Sequence, residues 1–298
     1  MIGLCYPAMR ITRNSTVEQQ DFIPGQPVTL ANGLRRVVAP NPGPMTGPGT
    51  NTYVLGFDAL TVIDPGPASE QHIADLTALG DIRQIIVTHT HRDHSPAASV
   101  LAERTGARTF GRPPPTDGRQ DGSFVPDAVL ADADIVNLDG FSLEVIATPG
   151  HASNHLCYFV REFGWLLTGD HIMGGSTVVI APPDGDMDAY FRSLERLKRL
   201  RLTALLPGHG AVIEQPRSAI DGLLRHRLGR ETKVVAALDQ RLAKSLDELL
   251  VEVYADVPVA VHPVAKLSLL AHLERLASQN GAMRQGNRWR GTAFSQES

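Results

Sequence analysis

The sequence predicts an α/β (α+β) protein: two sheets packed together with helices outside, an αββα sandwich, followed by a small helical, winged-helix-like domain. Short apolar runs typical of strands recur through the first 215 residues, and stretches with helical spacing separate some of them. Long helical patterns take over from Pro216 onward. We therefore expect a large first domain over residues 1–215 and a smaller second domain over residues 216–298.

Composition places the chain among ordinary globular proteins. Its 298 residues, 42% hydrophobic and 20% charged, allow one large domain and a small appendage. No apolar run reaches the length of a membrane span, and residues 1–20 lack the pattern of an export signal. Cys5 and Cys157 lie far apart, so we expect a buried free thiol at Cys157 and a cytoplasmic location. Residues 1–26 carry no clear pattern and receive no predicted function.

The first half of the chain predicts paired strands and two helices. A hairpin is expected around Asn32-Gly33, because this dipeptide supplies the positive φ angles of a tight turn. Ser69 is a suitable helix N-cap, and Gly106 suits the end of the next helix. The predicted strands cover 28–31, 34–39, 52–55, 60–63 and 83–87, and the predicted helices cover 69–79 and 95–104.

The second half begins with a loop rich in Pro, Gly and Asp, residues 111–124, which is either an idle insertion or a flap over a site. The dipeptide Asp139-Gly140 predicts another hairpin, and apolar residues at helical spacing predict a core helix over 187–200. The predicted strands cover 135–138, 141–147, 155–160, 165–167 and 204–206. The second domain is predicted to contain helices 217–244, 245–255 and 263–279 and a basic hairpin over 284–290.

A cluster of metal-ligand residues, Thr88-His89-Thr90-His91-Arg92-Asp93-His94, follows the apolar strand 83–87. Residues two apart on an extended strand end point the same way, so His89 and His91 can bind one ion. Asp93 and His94 then face a second position beside it. Imidazole nitrogen and carboxylate oxygen suit zinc first, with iron or manganese also open.

Three later segments supply further candidate ligands. His151, Asp170 and His209 each follow an apolar strand-like run and stand beside small turn-forming residues. Ligands at successive strand ends converge on one edge of a sheet. A single histidine of this kind is more often structural, but four such segments in order predict a metal site.

These motifs resemble those of the metallo-β-lactamase-fold hydrolases, in which an HxHxDH motif is followed by a His, an Asp and a His. The resemblance implies two divalent ions, with Asp93 and Asp170 as catalytic residues and Asp64 bracing the metal loop. It implies a hydroxide, formed from a water shared by two ions about 3.5 to 4 Å apart, as the nucleophile. His155 and His171 lie next to ligand motifs, and each is expected to support the ligands or to be a packing residue rather than a proton donor. The implied ligands are His89, His91 and His151 on one ion and Asp93, His94 and His209 on the other, with Asp170 bridging.

Other segments resemble the β-lactamase-like protein 2 branch of these hydrolases. They are residues 49–53, residues 169–173, His226-Arg227 with Arg230-Glu231, and the winged-helix-like tail. This resemblance implies a single-strand endoribonuclease. Trp289 between two arginines agrees with RNA binding through phosphate contacts and stacking. The predicted substrate-binding residues are His226, Arg227, Arg284, Arg288 and Arg290.

Charge leaves the substrate class open. Residues 216–298 contain twelve Lys/Arg against nine Asp/Glu, a net charge of +3, which leaves −7 for the rest of the chain. The basic tail favours RNA, whereas the acidic body favours a small substrate. The alternative is therefore a thioesterase or lactonase that acts on a small ester, similar to glyoxalase II; a noncatalytic binding scaffold is disfavoured because every ligand position is filled. We expect no membrane partner, and a homo-oligomeric assembly stays open.

Overall fold

The computed structural model describes residues 22–292. Residues 1–21, and with them Cys5 and most of the patternless region 1–26, lie outside the described residues. The described chain forms two compact units. The first comprises the residues up to 147 together with 154–177 and 201–216, and the second comprises 148–153, 178–200 and the residues from 217 onward. The single boundary expected between residues 215 and 216 stays a prediction.

The first unit contains a sheet of seven strands within the described residues. They are β1 (Val28–Ala31), β2 (Leu34–Val38), β3 (Asn51–Leu55), β4 (Ala59–Ile63), β5 (Asp81–Ile86), β6 (Arg108–Gly111) and β7 (Ala128–Val129), and they lie in sequence order. Strands β1 to β4 pair antiparallel, and β4 to β7 pair parallel. Consequently β4 and β5 end at the same edge of the sheet.

A second sheet in this unit has the order β12-β11-β10-β9-β8. Its strands are β8 (Ile135–Asn137), β9 (Ser142–Ala147), β10 (Leu156–Val160), β11 (Trp165–Gly169) and β12 (Ala204–Pro207). Strands β8 to β11 pair antiparallel, and β11 pairs parallel with β12. The parallel pair therefore places the residues after β11 and β12, Asp170 and His209, at one end of the sheet.

Apolar side chains from both sheets share one buried cluster. It includes Leu55 and Ile86 from the first sheet and Val145, Tyr158 and Leu206 from the second. On its other face the first sheet packs against α1 (Glu70–Thr77) and α2 (Ala97–Thr105). Burying both faces explains why β4 is apolar except for Thr61 and why β5 ends in two consecutive apolar residues, Ile85 and Ile86.

The second unit is mainly helical and holds a three-stranded sheet of its own. Its helices are α3 (Met187–Leu197), α4 (Pro216–Ala237), α5 (Leu246–Val253) and α6 (His262–Ser278), with a short 3-10 helix at Val259–Val261. The strands β13 (Lys244–Ser245), β14 (Ala282–Gln285) and β15 (Arg288–Gly291) have the order β13-β15-β14. Their core lies among α4, α5, α6 and the hairpin, where Trp289 packs with Val234, Leu249 and Leu273.

Most predicted elements are confirmed, and the differences lie in the shortest strands and one helix end. Ser69 caps α1, and Gly106 ends α2 in the left-handed conformation, as expected. Strands β6, β7 and β13 have two to four residues, too few for an alternating pattern. The helix predicted over 217–244 ends at Ala237, because Asp239 caps a turn through the backbone N–H groups of Arg241 and Leu242.

Two smaller expectations can also be compared with the structure. Cys157, on β10, is buried and forms no disulfide within residues 22–292, in agreement with the prediction. Among the helices of residues 22–292, none combines the length and the apolar character needed to cross a bilayer.

Candidate metal centre

The turn that follows β5 is held by one carboxylate. Asp64, at the end of β4, accepts hydrogen bonds from the backbone N–H of Thr88 (2.7 Å), from the Thr88 hydroxyl (2.7 Å) and from Nδ1 of His94 (2.9 Å). Asp64 adopts a φ of 51° and is 2% exposed. Because three donors converge on it in the interior, Asp64 braces the metal turn, as the family resemblance implies.

Four predicted ligands gather at this edge. The carboxylates of Asp93 and Asp170 face the Nε2 atoms of His94 and His209, and the ligand atoms of these four residues lie within 4.8 Å of one another. The Nε2 of His94 lies 3.7 Å from Asp93 Oδ2 and 3.4 Å from Asp170 Oδ1. The Nε2 of His209 lies 3.1 Å from Asp93 Oδ2 and 3.4 Å from Asp170 Oδ1.

These four distances fit ligands of one ion better than they fit hydrogen bonds. Two atoms that each bind a zinc ion at about 2.0–2.1 Å in a tetrahedral arrangement are about 3.3 Å apart. Three of the four contacts are longer than the range of about 2.7–3.2 Å that N–H···O bonds prefer. The residues present therefore fit a divalent cation with mixed nitrogen and oxygen ligands.

The charges of these four residues also indicate a site for a divalent cation. Burial alone would raise the pKa of Asp93, but the imidazoles of His94 and His209 lower it to about 2. Burial alone would lower the pKa of His94 and of His209, but the carboxylates of Asp170 and Asp93 raise both above the usual value. The buried carboxylate of Asp170 and the half-buried one of Asp93 thus require positive charge beside them, which a divalent cation supplies while using the imidazole lone pairs.

The second group of ligands consists of imidazoles alone. The ligand atoms of His89, His91 and His151 also lie within 4.8 Å of one another, and His89 Nε2 is 2.9 Å from His91 Nδ1. The rings of His89 and His94 are 4.2 Å apart between centroids. The structure therefore assembles all seven predicted ligands in two groups. It places Asp170 in the carboxylate group, and its bridging role stays a prediction.

In three of the histidines, the hydrogen bond donated by Nδ1 determines which ring nitrogen can bind a metal. Nδ1 of His151 donates to the carbonyl of Val179 (2.7 Å), and Nδ1 of His209 donates to that of Gly49 (3.1 Å). Nδ1 of His89 donates to the Thr88 hydroxyl (3.0 Å), which is itself committed as a donor to Asp64. In each case the lone pair is left on Nε2, the arrangement that metal-binding histidines normally adopt.

The chain matches a known family over more than half of its length. The metallo-β-lactamase superfamily profile matches residues 45–209, and that of the β-lactamase-associated winged helix domain matches residues 245–289. The chain belongs to the metallo-β-lactamase superfamily. A His/Asp cluster on this hydrolase fold implies a divalent metal. The winged-helix-like tail predicted from sequence is thereby confirmed.

Similar proteins include two named relatives and a solved structure. A β-lactamase-like protein 2 homolog from Drosophila melanogaster is 32% identical, over 84% of this chain and 89% of that protein. An atrochrysone carboxyl ACP thioesterase from Aspergillus fumigatus is 30% identical, over 70% and 66%. A metallo-β-lactamase family protein from Thermus thermophilus superposes with a TM-score of 0.75 at 24% identity, over 89% and 100%, and supports the fold alone.

In this metallo-β-lactamase fold, residues not assigned as ligands support the ligand turns. His155, expected to support the ligands, accepts a hydrogen bond at Nε2 from the backbone N–H of Asp170 (3.2 Å). Thr90, between two ligands, donates to Gln120 (2.6 Å) and accepts from Asn154 (2.7 Å). Asp121 accepts from the Ser95 hydroxyl (2.6 Å). The loop 111–124 is therefore tied to the metal turn through residues 120 and 121.

The roles of Gln120, Asp121 and Asn154 were not predicted. Each lies in a polar segment without periodicity, so the sequence offers no sign that these side chains are buried. Asn51 and Gly49 also support the site, through His209 and the turn that carries it. Their motif, residues 49–53, was predicted only to resemble the β-lactamase-like protein 2 branch, without a role for either residue.

The five predicted substrate-binding residues differ in their exposure. Arg227 is 3% exposed, and its guanidinium donates to the carbonyl of Val178. Arg288 forms an ion pair with Glu248 (2.8 Å) and donates to the carbonyl of Ala243. Of the five predicted residues, His226, Arg284 and Arg288 are exposed, Arg290 is half-buried and Arg227 is buried.

The expected stacking of bases on Trp289 is wrong. This indole is 3% exposed and packs in the core of the second unit. The guanidinium of Arg284 lies over its ring, 5.7 Å from the centroid. Alternation along β15 explains the error, because the residue between two outward arginines must point inward.

Proposed function

We propose that this metallohydrolase binds two divalent ions, with zinc as the first choice, and hydrolyses the acyl C–S bond of a thioester or the acyl C–O bond of a small ester. The observation that carries the proposal is the group formed by Asp93, His94, Asp170 and His209, whose Nε2 and carboxylate atoms stand 3.1 to 3.7 Å apart. Bound there, divalent ions would supply Lewis acidity and a hydrolytic water of lowered pKa.

The protein's own residues would divide the remaining work. The three histidines of the imidazole group and the two of the carboxylate group would present neutral nitrogens to the ions. Asp93 and Asp170 would supply negative charge, so that with two ions and one hydroxide the formal charge of the site is about +1. That residual charge suits an electron-rich carbonyl oxygen or an anionic group on the substrate. Asp64 and His155 would keep the ligand turns in place.

The choice of a thioester over RNA rests on the second unit. A single-strand RNA site combines a positive groove with aromatic faces on which bases stack. Trp289 offers no such face, and Arg288 is already neutralised by Glu248. The similarity to a protein named as a thioesterase agrees with carbonyl chemistry.

A second candidate is hydrolysis of single-stranded RNA, the activity that resemblance to the β-lactamase-like protein 2 branch implies. One observation favours it: Arg284 is exposed and has no ion pair among those found in residues 22–292. With a tail charge near +3, such binding would neutralise few phosphates and would weaken steeply with salt.

The experiment compares substrate classes on one metal-loaded preparation. Acyl thioesters, lactones and end-labelled single-stranded RNA are offered to the wild type and to Asp170→Asn. Thioester hydrolysis is followed with a thiol reagent, lactone hydrolysis by the change in pH, and RNA cleavage on a gel. We expect thioester turnover with kcat/KM of about 10⁴ M⁻¹ s⁻¹ or more, reduced by about 10³-fold in the variant. RNA cleavage that the variant abolishes, together with background rates on thioesters and lactones, would transfer the assignment to the second candidate.

A further inference from the structure

His209 is presented by a turn that cannot hold itself in place. It lies between Gly208 and Gly210, directly after β12, and β12 is the last strand of its sheet. Gly210 has a φ of 82°, and a Cβ there would meet the carbonyl oxygen of Gly174 at 2.4 Å. Two glycines beside a ligand leave the backbone adaptable. The position of His209 must therefore be fixed from outside the turn.

Asn51 supplies three hydrogen bonds to this turn from the other sheet. Its backbone N–H donates to the carbonyl of Gly208 (2.7 Å). Its side-chain Nδ2 donates to the carbonyls of Pro207 (2.8 Å) and Gly210 (2.9 Å). Asn51 is fully buried, and both side-chain hydrogens are used. Since all the acceptors are carbonyls, only the NH₂ orientation of the amide satisfies them.

The residue two positions before Asn51 orients the imidazole itself. The carbonyl of Gly49 accepts the hydrogen bond from Nδ1 of His209, which leaves the lone pair on Nε2. Gly49 has a φ of 135°, and a Cβ there would meet the carbonyl oxygen of Ala39 at 2.2 Å. Asn41 closes the loop by accepting from the N–H of Thr50 (2.9 Å) and donating to its hydroxyl (2.9 Å). This short segment thus contacts both the ring and the turn, which also forms backbone hydrogen bonds with Gly169 (2.8 Å) and Gly174 (3.0 Å).

We propose that Asn51 is a positioning residue for the metal group of Asp93, His94, Asp170 and His209. It touches no candidate ligand atom. By holding the carbonyls on both sides of His209, it keeps Nε2 within 3.1 to 3.4 Å of the two carboxylates. Without its amide the Gly210 carbonyl loses this side-chain donor, the Pro207 carbonyl keeps only the Tyr53 hydroxyl as a side-chain donor, and the turn is driven to rearrange.

Metal affinity tests the proposal directly and requires no substrate. We would measure zinc equivalents per chain, and the affinity for each ion by chelator competition, for the wild type, Asn51→Leu and Tyr53→Phe. The latter is a matched control, because it removes the hydrogen bond from the Tyr53 hydroxyl to the carbonyl of Pro207 (2.8 Å) and leaves the Asn51 amide in place. We expect Asn51→Leu to lose about 10-fold to 100-fold in affinity for one ion and to keep the other. Tyr53→Phe should lose less than about 3-fold.

A second pair of variants separates positioning from general destabilisation. If Asn51→Leu does not fold, Asn51→Ser is measured in its place and decides the question. It also removes the amide and keeps the backbone bond to Gly208. Trp289→Ala, destabilised in the second unit, should keep wild-type affinity for the ion of the group Asp93, His94, Asp170 and His209, because all four residues belong to the first unit. Folded Asn51 variants that bind both ions as the wild type does, or that lose both ions equally, would overturn the proposal. Because metal affinity is read without turnover, a wrong substrate assignment would leave this result intact.

Discussion

Polar residues at the metal edge of the first unit and basic residues in the C-terminal hairpin were both predicted to be functional, yet the structure treats them differently. At the metal edge, Asp93 and Asp170 converge with His94 and His209, so that three separate turns contribute to one group. In the hairpin, Arg288 pairs with Glu248, and Trp289 is buried between its two arginine neighbours. The difference teaches that strand ends bring residues together by topology, whereas charges on a surface hairpin are readily satisfied by nearby acids.

The largest effect is expected from a substitution at the metal edge, and it concerns activity. Asp170→Asn keeps the shape of the side chain but removes a negative charge that faces His94 and His209. We expect kcat/KM on the best substrate to fall by about 10³-fold, since a metal site supplies several kcal/mol of transition-state stabilisation. Steady-state kinetics on metal-loaded protein measure the loss. A variant with more than a tenth of wild-type activity would remove Asp170 from the catalytic group.

The next effect concerns the stability of the hairpin. Trp289→Ala should lower the free energy of unfolding of the second unit by about 3–5 kcal/mol, because it removes a buried indole from a packed core. Denaturant unfolding followed by far-UV circular dichroism measures this loss, with Trp289→Phe as the milder control. An unchanged stability together with weakened RNA binding would show instead that the indole is a contact surface.

The dependence of stability on pH tests His72, which supports the metal edge through Thr52 and Asp64. Burial lowers the pKa of His72 to about 4, and its Nε2 lies 2.9 Å from the Thr52 hydroxyl, which donates to the Asp64 carbonyl. The unfolded pKa is about 6.5, so the unfolded chain binds more protons between these values. Stability should therefore fall by about 3 kcal/mol as pH drops from about 6.5 to about 4.

His72→Gln isolates this contribution. The metal ligands titrate in both proteins, so the difference between wild type and variant removes their effect. We expect the stability of the wild type relative to the variant to decline as the pH falls through this window, measured by denaturant unfolding at each pH. A difference independent of pH would mean that His72 is not kept neutral in the folded protein.

The smallest effect is expected at the hairpin surface. Arg288→Ala removes an exposed ion pair with Glu248 and should cost less than about 1 kcal/mol of stability. Turnover of a small thioester should change by less than about 2-fold, because the residue contributes to no predicted ligand set. If the triple change of Arg284, Arg288 and Arg290 to Ala weakened RNA binding and reduced its salt dependence, the hairpin would regain the role first predicted for it.

The strands and the ligands could be predicted because both depend on local, periodic patterns. His89, His91 and Asp170 follow apolar runs, and the paired strands bring such positions together. The bonds of Asn51 could not be predicted, because they join carbonyls about 156 positions away in another sheet. The burial of Arg227 escaped prediction for the same reason, since its acceptor, the carbonyl of Val178, lies 49 positions earlier in the chain.

Metal stoichiometry tests the central claim, that residues at these strand ends form a site for two ions, most directly. Wild-type protein reconstituted with zinc and freed of excess metal would be analysed by inductively coupled plasma mass spectrometry. The two groups, His89/His91/His151 and Asp93/His94/Asp170/His209, predict close to two ions per chain. Protein that retains no transition metal after reconstitution would contradict the claim.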